Sequence, residues 1–229
     1  MRRPTIQVRV DPELVTGVYK FFSKREYAEL LIQRGAVHLG TLAYYRSLEH
    51  SAGARGDTEE GLQRLEVMSS TPETLTSENA PRHLKQAVAS MGMPILSHGG
   101  TISVTDQSPD AYIYCMTLVD SVGVRADFGE FGIAISDPEA LALQLTRRLR
   151  ALRLVPDDKA TLGCCRYSDK VTKLDSAFTE VDPSVHALEK PLGYSHQREV
   201  RAVWRATDPG ALTIDVTCPE LRSLCSRLY

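Results

Sequence analysis

Hydrophobic and polar residues alternate in "TIQVRV", residues 5–10, and again in "YSHQREVRAVW", residues 194–204. A side-chain period of two predicts a strand in each. In the second, Val200, Ala202 and Trp204 share one face, which the pattern assigns to the core, and Gln197, Glu199 and Arg201 share the other. Further extended runs are "LVTGVYKFF" (14–22), "AVHLGTLAYY" (36–45), two runs about a turn at Ser108-Pro109-Asp110 in "GGTISVTDQSPDAYIYCMTLVD" (99–120), "GEFGIAIS" (129–136), "TLGCCRYSDKV" (161–171) and "GALTIDVT" (210–217).

Helical spacing interrupts these strands. "SKREYAELLIQRG" offers Ser23 as N-cap, Glu26 as its capping-box partner, Tyr27, Leu30 and Leu31 on one face and Gly35 as the stop. "DPEALALQLTRRLRALRL" (137–154) is the clearest helix, with Asp137 at the N-cap, Pro138 at N1 and leucines at 141, 145, 149 and 152. A short helix is predicted over 76–92 and another near the C-terminus. Residues 46–68 read as a long polar loop with glycines at 53, 56 and 61, a candidate lid or ligand-binding loop. Strands outnumber helices, which predicts an α+β fold.

Composition narrows the class. The 229 residues are 42% hydrophobic and 24% charged, enough for one folded domain spanning 1–229. A net charge of −2 demands neither nucleic acid nor an acidic membrane surface. No run approaches the roughly 18 apolar residues of a membrane span, so no membrane partner and a cytoplasmic location are expected. Cys115, Cys164, Cys165, Cys218 and Cys225 are odd in number and lack a CxxC pair, which fits reduced thiols. The histidines lack ligand spacing, so no metal is expected.

"YKFF" near the start, "CMT" in the middle and "QRE" near the end occur in an order that resembles the ADP-ribosyltransferase superfamily. That superfamily has an aromatic, basic or histidine position on its first core strand, a Ser/Thr/Tyr segment next, and a late strand opening with glutamate. Gln197-Arg198-Glu199 is similar to the Gln-x-Glu element of the branch that modifies asparagine or guanine. "YKFF", "YYRSLEHSAGARGDTEEG" and "REVR" together resemble a bacterial branch found near defence, toxin and mobile-element loci.

The resemblance implies a split β-sandwich, NAD as substrate, a macromolecular acceptor such as nucleic acid, and an antitoxin or partner protein. It implies Glu199 and Gln197 as catalytic residues, and Tyr19, Lys20, Tyr45, Arg46 and Thr117 as NAD-binding residues. Lys20 and Thr117 depart from the superfamily's usual arginine or histidine and serine or tyrosine.

The chemistry suits these residue types. Breaking the nicotinamide N-glycosidic bond builds an oxocarbenium-like charge that a fixed carboxylate stabilises. An amide can donate to and accept from an acceptor at once. Lys20 or Arg46 suits phosphate, and Tyr19, Tyr44 or Tyr45 suits stacking. Arg147, Arg148, Arg150 and Arg153 form a cationic stripe suited to phosphate. The competing expectation is a non-catalytic module on the same scaffold, binding a nucleotide or a partner protein.

Overall fold

The computed structural model describes residues 7–10, 17–48, 62–69, 73–76, 78, 95–97, 100–107, 110–156, 159–169, 171–174, 187–207 and 212–229. Its strands are β1 Gln7–Val10, β2 Val18–Phe22, β3 Ala36–Thr41, β4 Leu62–Ser69, β5 Glu73–Leu75, β6 Ile95–Ser97, β7 Gly100–Gln107, β8 Ala111–Thr117, β9 Phe131–Ile135, β10 Lys159–Cys164, β11 Arg166–Ser168, β12 Val171–Leu174, β13 Glu189–Pro191, β14 Glu199–Arg205, β15 Thr213–Thr217 and β16 Cys225–Arg227. The helices are α1 Arg25–Arg34, α2 Leu42–Leu48, α3 Val122–Phe128 and α4 Pro138–Ala151.

The fold is α+β around a nine-stranded sheet in the order β1-β10-β14-β8-β2-β9-β16, with β3 also paired to β8 and β15 to β3. All its pairings are antiparallel except β1 with β10. Smaller sheets join β12-β4-β7, β11-β13 and β5-β6. Among the described residues no helix is long and apolar enough to cross a membrane.

The sheet forks along β8. β2 pairs with its C-terminal end at Tyr19 and Thr117, and β3 with its N-terminal half at Gly40–Ile113 and Thr41–Tyr112. Between these branches the Cys115 carbonyl accepts from Lys20 Nζ at 2.8 Å instead of from a third strand.

The register of β14 on β8 sets two faces: Val200, Ala202 and Trp204 lie opposite Met116, Tyr114 and Tyr112, while Glu199, Arg201 and Val203 lie opposite Thr117, Cys115 and Ile113. The first set packs with Leu162 and with Leu141, Leu145 and Leu149 of α4, as the leucine spacing predicts. Asp137 caps this helix by accepting from the Ala140 N–H at 2.8 Å. Trp204 Nε1 donates to Thr146 Oγ1 at 2.8 Å, so the largest core side chain leaves no polar group orphaned.

Several boundaries differ from the sequence pattern. The strand expected over 194–204 begins only at Glu199, and Leu192–Gln197 is a 3-10 helix. "AVHLGTLAYY" divides into β3 and α2. The polar loop is helical as far as Leu48 and extended from Leu62, while 49–61, with the RGD, lies outside the described residues. The N-cap of α1 is Lys24, without a side-chain hydrogen bond, so no Ser23–Glu26 box forms. Its buried residues are Ala28 and Leu31, whereas Tyr27 and Leu30 are exposed. Gly35 ends it at φ 65, where a Cβ would collide with the Cys218 carbonyl. "TLGCCRYSDKV" divides among β10, β11 and the start of β12. The terminal helix is a 3-10 turn, Pro219–Leu224, followed by β16. The helix expected over 76–92 lies almost entirely outside the described residues.

Candidate functional site: a buried carboxylate between two cations

Glu199 opens β14, buried at 3% exposure beneath the segment 187–197. Its Oε1 accepts from Arg201 Nε at 2.7 Å and its Oε2 from Lys190 Nζ at 2.7 Å. Arg201 reaches the same carboxylate because residues two apart on a strand share a face. Lys190 arrives from β13, and its ammonium also lies 4.7 Å from the Tyr194 ring centroid. Burial alone pushes the Glu199 carboxyl up, but the charges of Arg201 and Lys190 outweigh it and hold the group well below the ordinary carboxylate range.

Gln197 is fully buried, but it ends the 3-10 helix rather than extending the strand. The left-handed residue between them, Arg198 at φ 40, turns the chain so that Gln197 and Glu199 both bond Lys190. Gln197 Nε2 donates to Asp127 Oδ2 at 2.8 Å, and its Oε1 accepts from Lys190 Nζ at 2.9 Å. The amide orientation is thereby fixed, since a carboxylate only accepts and an ammonium only donates. The same Asp127 oxygen lies 2.7 Å from His196 Nε2.

Thr117 Oγ1 donates to the Gln197 carbonyl at 2.6 Å, and the Leu118 N–H to the Arg198 carbonyl at 3.0 Å. The Glu199 N–H donates to the Tyr167 hydroxyl at 2.7 Å, and Arg201 donates to the Ala187 carbonyl at 2.6 Å. Below the carboxylate, burial and then the Glu199 charge push the Cys115 thiol up to about 12. Tyr45, on α2, hydrogen-bonds Cys115, and burial raises its hydroxyl further. Its ring meets Tyr44 edge-on at 5.5 Å between centroids.

The expected site residues therefore divide. Tyr19 lies opposite Thr117 and Thr117 opposite Glu199, one row across three adjacent strands, with Gln197 and Tyr45 beside it. Lys20 leaves β2 on the other side, its ammonium 5.0 Å from the Tyr114 ring centroid and 5.8 Å from that of Phe22. It does not share the Glu199 face. Arg46 is half-buried in the last turn of α2. Arg201, which the alternation places on the polar face of its strand, is 2% exposed.

Sequence reasoning missed Lys190, Asp127, Tyr167 and His196. Only the last had a local signal, its place beside Gln197.

Chemically, the arrangement offers a carboxylate held in its ionised form by two cations, an oriented amide, and a histidine–carboxylate pair at the solvent edge. The chain matches no protein-family model, no curated protein and no solved structure.

Proposed function

We propose that the chain is an NAD-dependent ADP-ribosyltransferase on a split β-sandwich, cleaving the nicotinamide N-glycosidic bond and passing ADP-ribose to a macromolecule. The observation that carries this reading is the row Tyr19–Thr117–Glu199 across β2, β8 and β14, with the glutamate opening its strand. An aromatic, a hydroxyl-bearing residue and a glutamate then stand on one face of the sheet in the order the sequence resemblance implies. Glu199 stabilises the oxocarbenium-like ribose, Gln197 orients the acceptor, Tyr19 and Tyr45 hold the nicotinamide, and Arg46 meets the phosphates. Lys20 has no part in this binding, because it lies on the other face.

Nucleic acid is the acceptor class we favour, on the exposed arginines Arg147 and Arg148 of α4 and Arg153 just beyond its C-terminal end. A defence or toxin role with an antitoxin follows from the same reading.

Nicotinamide release from labelled NAD tests it. Wild type releases nicotinamide and Glu199→Gln at least about a hundredfold less; equal release by the two would reject the enzyme.

A specific feature favours a second reading, a binding module without turnover. Both Glu199 oxygens already hold cations, so a ribose hydroxyl needs Lys190 to yield. Under that reading a nucleotide stabilises the fold in thermal-shift titrations, increasingly with concentration, and no nicotinamide appears.

A further inference from the structure

His196 is the most exposed titratable side chain of the Gln197 network among the described residues, 48% exposed against 17% for Asp127 and 7% for Lys190. It lies on the 3-10 helix, 2.7 Å from Asp127 Oδ2, and its ring packs against α3 with Cδ2 3.6 Å from where a Cβ on Gly123 would stand. The neutral ring must carry its proton on Nε2, because the carboxylate facing it can only accept. Nδ1 is left with a lone pair and takes part in none of the hydrogen bonds among the described residues. Asp127 also holds Gln197 Nε2, and Gln197 holds Lys190, which holds Glu199. A histidine with one nitrogen fixed by a carboxylate and the other open is the arrangement of a general base.

We propose that His196 is the base that deprotonates the acceptor, with Asp127 as its positioning residue; this rests on the transferase reading of Glu199. The acceptor's O–H or N–H lone pair forms a bond to the anomeric carbon of the nicotinamide-bearing ribose. The bond from that carbon to the nicotinamide nitrogen breaks, and its electron pair leaves with neutral nicotinamide. The acceptor's proton passes to His196 Nδ1, and the resulting imidazolium is paired with Asp127. Under this proposal Glu199 serves the ribose and His196 the acceptor, with Asp127, Gln197 and Lys190 standing between the two side chains in the network.

With water as the acceptor the step is NAD hydrolysis, so nicotinamide release can be followed without knowing the macromolecule. His196→Gln keeps a donor toward Asp127 and loses the base. It is expected to lower release about a hundredfold, within the usual worth of general base catalysis. Its melting temperature stays close to wild type, and added imidazole restores part of the rate. A purely structural His196 would show no rescue.

Wild-type release by His196→Gln, with Glu199→Gln inactive, overturns the base and leaves the transferase reading standing. A loss in His196→Gln that imidazole does not restore also overturns the base. Release by wild type no faster than by Glu199→Gln overturns both.

Discussion

Trp204 and Glu199 lie on one strand and on opposite faces, and they are buried to nearly the same depth, 0% and 3% exposed. Around Trp204 the neighbours are mainly apolar, with Tyr112, Leu141, Leu145 and Leu149 in its cluster and one hydrogen bond, to Thr146. Around Glu199 they are charges and amides. The apolar face is stabilised by removal of surface from water, which is non-directional and tolerates changes that conserve volume. The polar face is stabilised only while each group keeps its partner, since an unpaired buried charge costs several kcal/mol. Equal burial therefore means unequal tolerance.

The largest effect should come from breaking the polar face by half. Glu199→Ala strands Lys190 and Arg201 and is expected to cost about 3–5 kcal/mol in urea unfolding. Replacing all three charges together, Lys190→Met with Glu199→Leu and Arg201→Met, should restore most of that stability while nicotinamide release stays absent. If the triple variant is as unstable as the single one, the contrast between the faces is misdrawn.

Acid sharpens the same contrast. The folded-state pKa of Glu199 is held below its ordinary value by Arg201 and Lys190 against the pull of burial. Its contribution is therefore complete above the unfolded pKa of roughly 4.3 and is lost as the pH falls below that. Glu29 and Asp120 are also held low, by Arg227 with Tyr229 and by Arg125, so wild type is compared with the triple variant. Between roughly pH 5 and 3, where unfolded carboxylates titrate, the triple variant should lose less stability than wild type in urea titrations.

On the apolar face, Trp204→Phe removes the donor to Thr146 and part of the ring volume, for about 2 kcal/mol by chemical denaturation. Thr146 keeps its own bond to the Ala142 carbonyl, which limits the loss. The smallest effect belongs to the helix covering that face: Asp137→Ala removes the α4 cap and should cost about 1 kcal/mol.

The elements legible in the sequence are those specified locally. α4 carries its cap, its N1 proline and its leucine spacing within one window, and the buried trio of β14 follows from alternation. α2 reads as strand because Tyr44 and Tyr45 favour extended chain. The counter-signal is Thr41, whose Oγ1 accepts from the Tyr44 N–H at 3.2 Å as a capping hydroxyl does. Of the residues grouped around the buried carboxylate, Glu199, Gln197, Thr117 and Tyr19 stand in the sequence as a motif order. Lys190 and Asp127 are not, because they pair with the motif across α3, β13 and the 3-10 helix, and long-range pairing leaves no periodicity in either segment. The face Lys20 takes is hidden for the same reason: alternation gives opposite faces to Lys20 and Tyr19, but only the tertiary fold shows which one joins Glu199.

The positive φ of Arg198 makes the two arms of the Gln-x-Glu motif a pincer rather than two teeth of a comb. On a regular strand, residues two apart project side by side, and neither closes on a third group. Here the reversal aims both at one ammonium. The middle residue is then constrained by backbone and hardly at all by side chain: glycine, asparagine or aspartate suits the left-handed bend, while a β-branched residue opens the pincer. The motif's unspecified letter is its hinge pin, and a valine there would part Gln197 from Glu199 at their shared ammonium without touching either side chain.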